Sequence, residues 1–185
     1  MKNVPNILSA LRICLVPVFA ATYFYGAGTV KIFAAVVYAF ASATDFLDGF
    51  IARKYDLTSN LGKILDPIGD KLMTLTALTC ITIDGVIPIW AVIAVLAKEL
   101  IMVGGGAVIR KKQDGTIPPS NIFGKMSTVV FFVVCVTLML CKNIPENIAT
   151  LLISIAIVLM MMALVSYIKT FISVVRKTDD LKGDN

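Results

Sequence analysis

The chain alternates between long apolar stretches and short polar connections. Six stretches have the length of a membrane-spanning helix, which needs about 20 mostly apolar residues. They cover approximately residues 7–25, 31–53, 61–83, 86–109, 122–141 and 147–175. None of the connections has the size of a separate soluble domain. The pattern predicts an all-α polytopic membrane protein with six transmembrane helices, and one domain over residues 1–185.

The start of the first span, Val4–Arg12, fits two interpretations. Its apolar and polar side chains fall at helical spacing on different faces. The apolar set is Ile7, Leu8 and Leu11, and the polar set is Asn6, Ser9 and Arg12. The stretch is either a short amphipathic helix lying at the membrane interface or the polar start of the first spanning helix.

Composition supports a membrane protein and excludes some chemistry. The chain is 58% hydrophobic and 16% charged, with a mean hydropathy of +0.88. Histidine, the commonest metal ligand and general base, is absent. The four cysteines lie singly without a C-x-x-C pair, which argues against a zinc or redox site. The net charge of +5 is modest, and no nucleic-acid partner is expected.

Basic residues are concentrated on one side of the predicted membrane. That side receives Lys2, Arg53, Lys54, Arg110, Lys111, Lys112, Arg176, Lys177 and Lys182. The other side receives Lys31 and Lys142. Because loops rich in Lys and Arg stay in the cytoplasm, both termini are predicted to face the cytoplasm.

Four aspartates interrupt the second and third predicted spans. Asp45 and Asp48 are three residues apart, and Asp66 and Asp70 are four apart, so each pair shares a helical face. At 1.5 Å per residue, Asp45 lies about 12 Å from the end of its helix and Asp66 about 10 Å from the start of the next. The four carboxylates, here called the acidic set, are expected to converge on the cytoplasmic side.

The acidic set needs a compensating charge, because a carboxylate inside a membrane is costly. Lys63 and Lys71 do not lie on the aspartate-bearing face, and an ion-pair network would require acids and bases in similar number. Two divalent cations would balance four negative charges. Oxygen ligands without His or Cys suit Mg²⁺ or Mn²⁺. The sequence therefore predicts a two-metal site of the kind that performs phosphoryl transfer.

Small residues and one cation accompany the acidic set. Gly49 follows Asp48, and Gly62 precedes Asp66, so a ligand can approach the backbone closely at both positions. Arg53 lies one turn after Gly49 and can reach a diphosphate.

These residues form one spaced motif. It reads Asp45-x-x-Asp48-Gly49-x-x-Ala52-Arg53, then eight residues, then Gly62-x-x-x-Asp66-x-x-x-Asp70. The motif resembles the signature of the CDP-alcohol phosphatidyltransferases. Val4–Arg12 resembles the start of the phosphatidylglycerol branch of that family.

The resemblance implies a reaction and a role for each motif residue. A phosphatidyl group would pass from CDP-diacylglycerol to an alcohol, with release of CMP, in a membrane enzyme that forms homodimers. The resemblance implies that Asp45, Asp48 and Asp66 bind the metals and that Asp70 is the general base and also a ligand. The residues implied to hold the CDP part are Asp48, Gly49, Ala52, Arg53 and Gly62.

Two acceptor alcohols fit the remaining sequence. Glycerol 3-phosphate needs a basic pocket, for which Lys98, Arg110 and Lys125 are candidates. Phosphatidylglycerophosphate synthases tend to carry Arg-Glu, an Arg seven residues after that Glu, and then Gly-Lys-x-Lys-Thr. This chain has Lys98 before its Glu, Gly106 in place of the Arg, and Ser127 in place of the second Lys.

The departures from that pattern favour a second acceptor. The stretches "KELIMVGGGAVIRKK" and "PPSNIFGKMST" resemble cardiolipin synthases, whose acceptor is phosphatidylglycerol. Glycerol 3-phosphate is expected first, because it belongs to the commonest bacterial branch with this N-terminus. A cation transporter and a structural scaffold are the alternatives outside enzymes. Metal-dependent release of CMP would separate both from a transferase.

Overall fold

The computed structural model describes the backbone of residues 4–25, 30–55, 62–112, 122–141 and 143–183. Side chains are described within 7–25, 31–44, 68–104, 126–141 and 143–169. Over the described residues the chain is all-helical, with six helices and no strand. The helices are α1 (Val4–Phe24), α2 (Val30–Tyr55), α3 (Gly62–Ile83), α4 (Ile89–Lys112), α5 (Ile122–Leu140) and α6 (Glu146–Gly183). The prediction of six helices is confirmed.

Two helix boundaries differ from the prediction for local reasons. α4 begins at Ile89 rather than near 86, because Pro88 disfavours the helical conformation at Ile87. α6 was expected to end near 175 and continues to Gly183. The apolar stretch ends earlier than the helix because residues such as Lys182 are good helix formers although they are charged.

The first helix settles the two interpretations of Val4–Arg12. α1 runs without a break over Val4–Phe24. Of its polar side chains, the two described ones are turned inward, since Ser9 is 0% exposed and Arg12 is 1% exposed, whereas Ile7 is 63% exposed. An interfacial amphipathic helix would turn its polar face to water. The interfacial helix is therefore wrong, and the stretch is the polar start of α1.

Large apolar side chains cover the outside of the helices. Examples are Phe33 on α2, Ile93 on α4, Val129 on α5 and Leu151 on α6, each at least half exposed. Apolar surface on this scale is unstable in water and indicates a lipid surrounding. Among the side chains that the structure describes, the buried polar ones are Ser9, Arg12, Thr44 and Ser127.

Two described stretches have the length and hydropathy of a membrane span. They are Ile7–Phe24, with a mean hydropathy of 1.9, and Glu146–Lys169, with 2.8. Shorter apolar helical stretches cover Lys31–Thr44 and Met126–Leu140. Over the described residues the chain is thus all-helical with apolar helices that indicate a membrane surrounding, and the full set of six spans stays a prediction.

The chain forms two compact units. Unit 1 comprises Met1–Pro88 and Cys135–Ala149, and unit 2 comprises Ile89–Val134 and Thr150–Asn185. Within unit 1, α1, α2 and α3 contact one another pairwise. The buried Phe19 ring lies 5.9 Å, between ring centroids, from Tyr38 of α2. Unit 2 has its own buried apolar side chains, which include Val95, Phe131 and Ile153.

A glycine ends α3 at one end of unit 1. Gly85 has a φ of 77°, which glycine adopts without strain. Its N–H donates to the Thr82 carbonyl at 2.9 Å, and the Val86 N–H donates to the Ile81 carbonyl at 3.2 Å. This is the Schellman arrangement, which satisfies the last carbonyls of a helix. The turn leaves Asp84 facing the ends of α1 and α2.

Three polar side chains join the helix ends at this turn. Lys31 of α2 forms an ion pair with Asp84, and its Nζ lies 5.2 Å from the centre of the Tyr23 ring of α1. The Tyr23 hydroxyl donates to Asp84 Oδ2 at 3.3 Å. We call Tyr23, Lys31 and Asp84 the turn cluster. It ties α1, α2 and the end of α3 together.

Candidate active site

The four predicted site aspartates lie on two helices of the same unit. Asp45 and Asp48 belong to α2, and Asp66 and Asp70 belong to α3. Both helices are regular at these positions, so the predicted three- and four-residue spacings on a helix are confirmed. α2 contacts α3 within unit 1. The sequence prediction thus places the acidic set on a pair of neighbouring helices.

The observed helix ends change the distances of Asp45 and Asp66 from the ends of their helices. α2 ends ten residues after Asp45, at Tyr55, and α3 begins four residues before Asp66, at Gly62. The corresponding distances along the helices are about 15 Å and about 6 Å, instead of the expected 12 Å and 10 Å. Asp48 and Asp70 lie between these depths. Convergence of the carboxylates stays a prediction.

Asp70 is the member of the acidic set whose side chain is described. It is exposed, whereas its neighbour Gly69 is buried against α1. The side chains of Asp45, Asp48 and Asp66 fall outside the described residues. Where side chains are described, no three His, Cys, Asp or Glu residues form a group that could hold a metal. Metal binding by the acidic set is therefore untested.

The remaining motif residues occupy helical positions beside the acids. Gly49, Ala52 and Arg53 follow Asp48 on α2. Gly62 is the first residue of α3. Arg53 lies outside the range of described side chains, so its contact with a diphosphate stays a prediction.

The packing of α1 on α3 adds a residue that the sequence prediction did not place in the site. A Cβ atom on Gly69 would lie 3.5 Å from Ile13 Cγ1, 3.6 Å from Arg12 Cδ and 3.6 Å from the Ser9 carbonyl oxygen. These are ordinary van der Waals distances, so the two helices meet closely at Gly69. Arg12 therefore lies beside the part of α3 that carries Asp70. The sequence signal that could have pointed to Arg12 was its position as a cation within an apolar run, three residues after Ser9.

The candidate acceptor residues belong to unit 2. Lys98 Nζ contacts Glu99 Oε1 at 2.6 Å, and both side chains are 14% exposed. Arg110 lies on α4 and Lys125 on α5, and their side chains lie outside the described set. The structure thus shows Lys98 in an ion pair with Glu99. It leaves acceptor binding by all three basic residues untested.

Ser127 occupies the position at which the phosphatidylglycerophosphate synthases tend to carry the second Lys of their motif. Ser127 is 4% exposed, and its hydroxyl donates to the Gly124 carbonyl at 2.9 Å. The serine is therefore satisfied by its own helix, α5. It supplies no positive charge for an acceptor phosphate.

Gly104 on α4 is exposed, and a Cβ atom there would meet nothing within 4 Å, so tight helix packing does not require this glycine.

Comparison with known proteins decides the family. The model of the CDP-alcohol phosphatidyltransferase family matches residues 2–176. The chain belongs to this family. The match extends over both compact units and includes every motif residue from Asp45 to Asp70.

Three curated relatives illustrate the range of this transferase family. A probable phosphatidylglycerophosphate synthase of Mycobacterium tuberculosis is 35% identical and covers 86% of this chain and 77% of its own length. A CDP-diacylglycerol--glycerol-3-phosphate 3-phosphatidyltransferase of Bacillus subtilis is 32% identical, with 78% and 80% covered. A cardiolipin synthase (CMP-forming) of Streptomyces coelicolor is 36% identical, with 68% and 60% covered. The CDP-alcohol phosphatidyltransferases that are similar to this chain are thus named for two different reactions.

Proposed function

We propose that this CDP-alcohol phosphatidyltransferase transfers the phosphatidyl group of CDP-diacylglycerol to glycerol 3-phosphate. The products are phosphatidylglycerophosphate and CMP. The observation that carries the proposal is the complete eight-residue motif on α2 and α3, in a chain whose family match runs over residues 2–176. The Mycobacterium tuberculosis and Bacillus subtilis relatives, which are named for this reaction, cover most of the chain.

The donor set of the site fits hard divalent cations. The acidic set supplies carboxylate oxygens, and the whole chain contains no histidine. Such ligands suit Mg²⁺ or Mn²⁺ rather than zinc. Asp45, Asp48, Asp66 and Asp70 would hold two ions. When bound, these ions neutralise the diphosphate of the substrate and stabilise the leaving CMP.

The motif residues have distinct parts in the transfer. The hydroxyl oxygen of the acceptor forms a bond to the lipid-side phosphorus, and the bond from that phosphorus to the bridging oxygen breaks. CMP leaves with the electron pair of the broken bond. The carboxylate of Asp70 accepts the hydroxyl proton as the new bond forms. The exposure of Asp70 on α3 supports this part, because a base must reach a substrate that enters from outside.

Binding of the two substrates falls to different residues. The CDP part is held by Asp48, Gly49, Ala52, Arg53 and Gly62. The glycines let the diphosphate approach the backbone, and Arg53 contributes its fork of donors. Lys98, Arg110 and Lys125 bind the phosphate of glycerol 3-phosphate.

A second acceptor is favoured by one observation. Buried Ser127 stands where the phosphatidylglycerol branch tends to carry a lysine, and its hydroxyl is bonded to Gly124 of the same helix. This arrangement lowers the positive charge available for a free phosphate. The alternative acceptor is phosphatidylglycerol, which would make the enzyme a cardiolipin synthase like the Streptomyces coelicolor relative.

The proposed enzyme spans the cytoplasmic membrane six times, with both termini and the active site in the cytoplasm. The distribution of Lys and Arg supports this orientation. Both compact units belong to one domain of 1–185, since one family model matches across them. The enzyme works as a homodimer among membrane lipids.

One assay tests the function and the choice of acceptor together. Purified protein in detergent receives labelled CDP-diacylglycerol and Mg²⁺ or Mn²⁺, with glycerol 3-phosphate and phosphatidylglycerol in parallel reactions. We expect phosphatidylglycerophosphate and CMP, and no product when a chelator is present. Cardiolipin as the product would establish the alternative acceptor. Absence of CMP release with both acceptors would overturn the proposed function.

A further inference from the structure

The first helix buries a positive charge. Arg12 is 1% exposed and is among the largest fully buried side chains. It shares a face of α1 with Ser9, three residues earlier and 0% exposed, whereas Leu11 on another face is 41% exposed. A guanidinium keeps its proton at any physiological pH. Unit 1 therefore holds a permanent positive charge in its interior.

The contact between α1 and α3 defines where this charge lies. A Cβ atom on Gly69 would be 3.6 Å from Arg12 Cδ. Cδ is bonded to Nε, so the guanidinium begins one bond beyond this contact. Gly69 directly precedes Asp70 and lies three residues after Asp66. The contact therefore brings Arg12 beside the stretch of α3 that carries half of the acidic set.

The charges of α3 explain why an arginine is buried at this position. Removing a guanidinium from water is unfavourable unless anionic groups surround it. Asp66 and Asp70 lie within one turn of Gly69. Lys71 lies two residues after Gly69, about 200° around the helix from it, and so on the far side of α3. By position around the helix, Asp66 and Asp70 thus lie nearer than Lys71 to the face of α3 that meets Arg12.

We propose that Arg12 is a positioning residue of the active site, whose guanidinium is the fixed counter-charge of the α3 carboxylates. The inference rests on the proposed function, because it takes the acidic set as the cation site. Four carboxylates and one guanidinium carry a net charge of −3, from four negative and one positive charge. Two divalent cations bring this to +1. Such a site attracts a diphosphate, and Arg12 also limits repulsion between the carboxylates before cations bind.

The test compares Arg12→Gln with Arg12→Lys, and uses Gly69→Ala as a packing control at the same contact. Melting temperatures are measured in detergent with chelator and with Mn²⁺. Mn²⁺ binding is measured from the resonance signal of the unbound ion. In Arg12→Gln we expect a lower Tm in chelator, a larger rise of Tm with Mn²⁺, and roughly tenfold tighter Mn²⁺ binding, because a positive charge beside the cations is lost.

The two other variants separate charge from packing. Arg12→Lys keeps the charge, so Mn²⁺ binding should stay within about twofold of the wild type, while turnover falls because the planar fork is lost. Gly69→Ala alters the helix contact without changing any charge. Its Tm should change by the same amount with chelator and with Mn²⁺. If Arg12 contributed only packing, the Tm of Arg12→Gln would likewise change by the same amount with chelator and with Mn²⁺.

The possible failures are distinguishable. Wild-type protein that binds no Mn²⁺ would overturn the cation site, and with it both the proposed function and this inference. Wild-type protein that binds Mn²⁺, with unchanged binding in Arg12→Gln, would overturn the role of Arg12 alone. If Arg12→Gln does not fold, the double variant with Asp70→Asn decides. Recovery of folding in the double variant supports the role of Arg12 as a counter-charge. If the double variant does not fold, Arg12 serves packing and the proposed role is overturned.

Discussion

At the end of unit 1 where α1 stops and α2 begins, one cation meets one anion. Lys31 and Asp84 form an ion pair, and the Tyr23 hydroxyl donates a further hydrogen bond to the same carboxylate. The side chains of Lys31 and Asp84 are 25% and 33% exposed. The turn cluster is therefore balanced in charge and close to solvent, as expected of an ion pair that only joins helix ends.

Toward the other end of the same helices, aspartates recur on shared helical faces. α2 and α3 carry the four aspartates of the acidic set, and the buried cation beside α3 is Arg12. Interior charge is costly unless it is compensated. The acidic set is therefore predicted to attract ligands of opposite charge. The joint between the helix ends thus holds one cation paired with one anion, whereas the predicted site gathers carboxylates on two neighbouring helices.

The largest effect is expected from exchanging one aspartate at each end of these helices. Asp70→Asn should lower turnover by roughly a thousandfold, because a general base typically contributes 10²–10⁴-fold. Asp84→Asn is the matched control in the same unit and should keep near-normal turnover. Both are measured as labelled phospholipid product per unit of folded protein. Near-normal turnover in Asp70→Asn would remove Asp70 as the base.

Asp66→Asn tests whether the acidic set binds cations. The loss of one charged ligand should raise the Mg²⁺ concentration needed for half-maximal activity by on the order of tenfold, since ligand charge sets affinity. The measurement is a titration of activity against Mg²⁺ at saturating substrate. Asp84→Asn should follow the wild-type titration. An unchanged titration in Asp66→Asn would argue against ligation by this residue.

The sequence was sufficient for the helices and for the spacing of the acids. Both depend on local patterns, namely apolar stretches of spanning length and the fixed periodicity of a helix. Asp45 and Asp48, for example, needed only a regular α2 to share a face. The family motif added the roles of these residues, which spacing alone does not provide.

Other features of unit 1 depend on tertiary contacts and were not predictable. The sequence showed that Ser9 and Arg12 form a polar face, but not that this face packs on Gly69 of α3. An isolated helix in water would turn such a face outward, and here packing against α3 buries it. The pairing of Lys31 with Asp84 likewise joins residues that are 53 positions apart. It depends on how the turn at Gly85 directs the chain.

A smaller effect is expected from the ion pair of unit 2. Lys98→Gln should raise KM for glycerol 3-phosphate by about tenfold and change kcat less, since a positive charge near the substrate phosphate would be lost without a change at the reacting atoms. Lys31→Gln is the matched control at the turn cluster. Initial rates over a range of glycerol 3-phosphate concentrations give both constants. An equal KM in the two variants would remove Lys98 from the acceptor site.

The smallest effect should come from breaking the turn cluster itself. Partly exposed ion pairs stabilise proteins by about 0.2–1 kcal/mol, because solvent already screens much of the attraction. Lys31→Gln, Asp84→Asn and the double variant form a cycle that isolates the pair from other contacts. We expect a coupling free energy within that range, and the same Tm changes with and without Mg²⁺. A Mg²⁺-dependent difference would show that charge at this end also senses the cation site, and the contrast between a joint and a site would then fail.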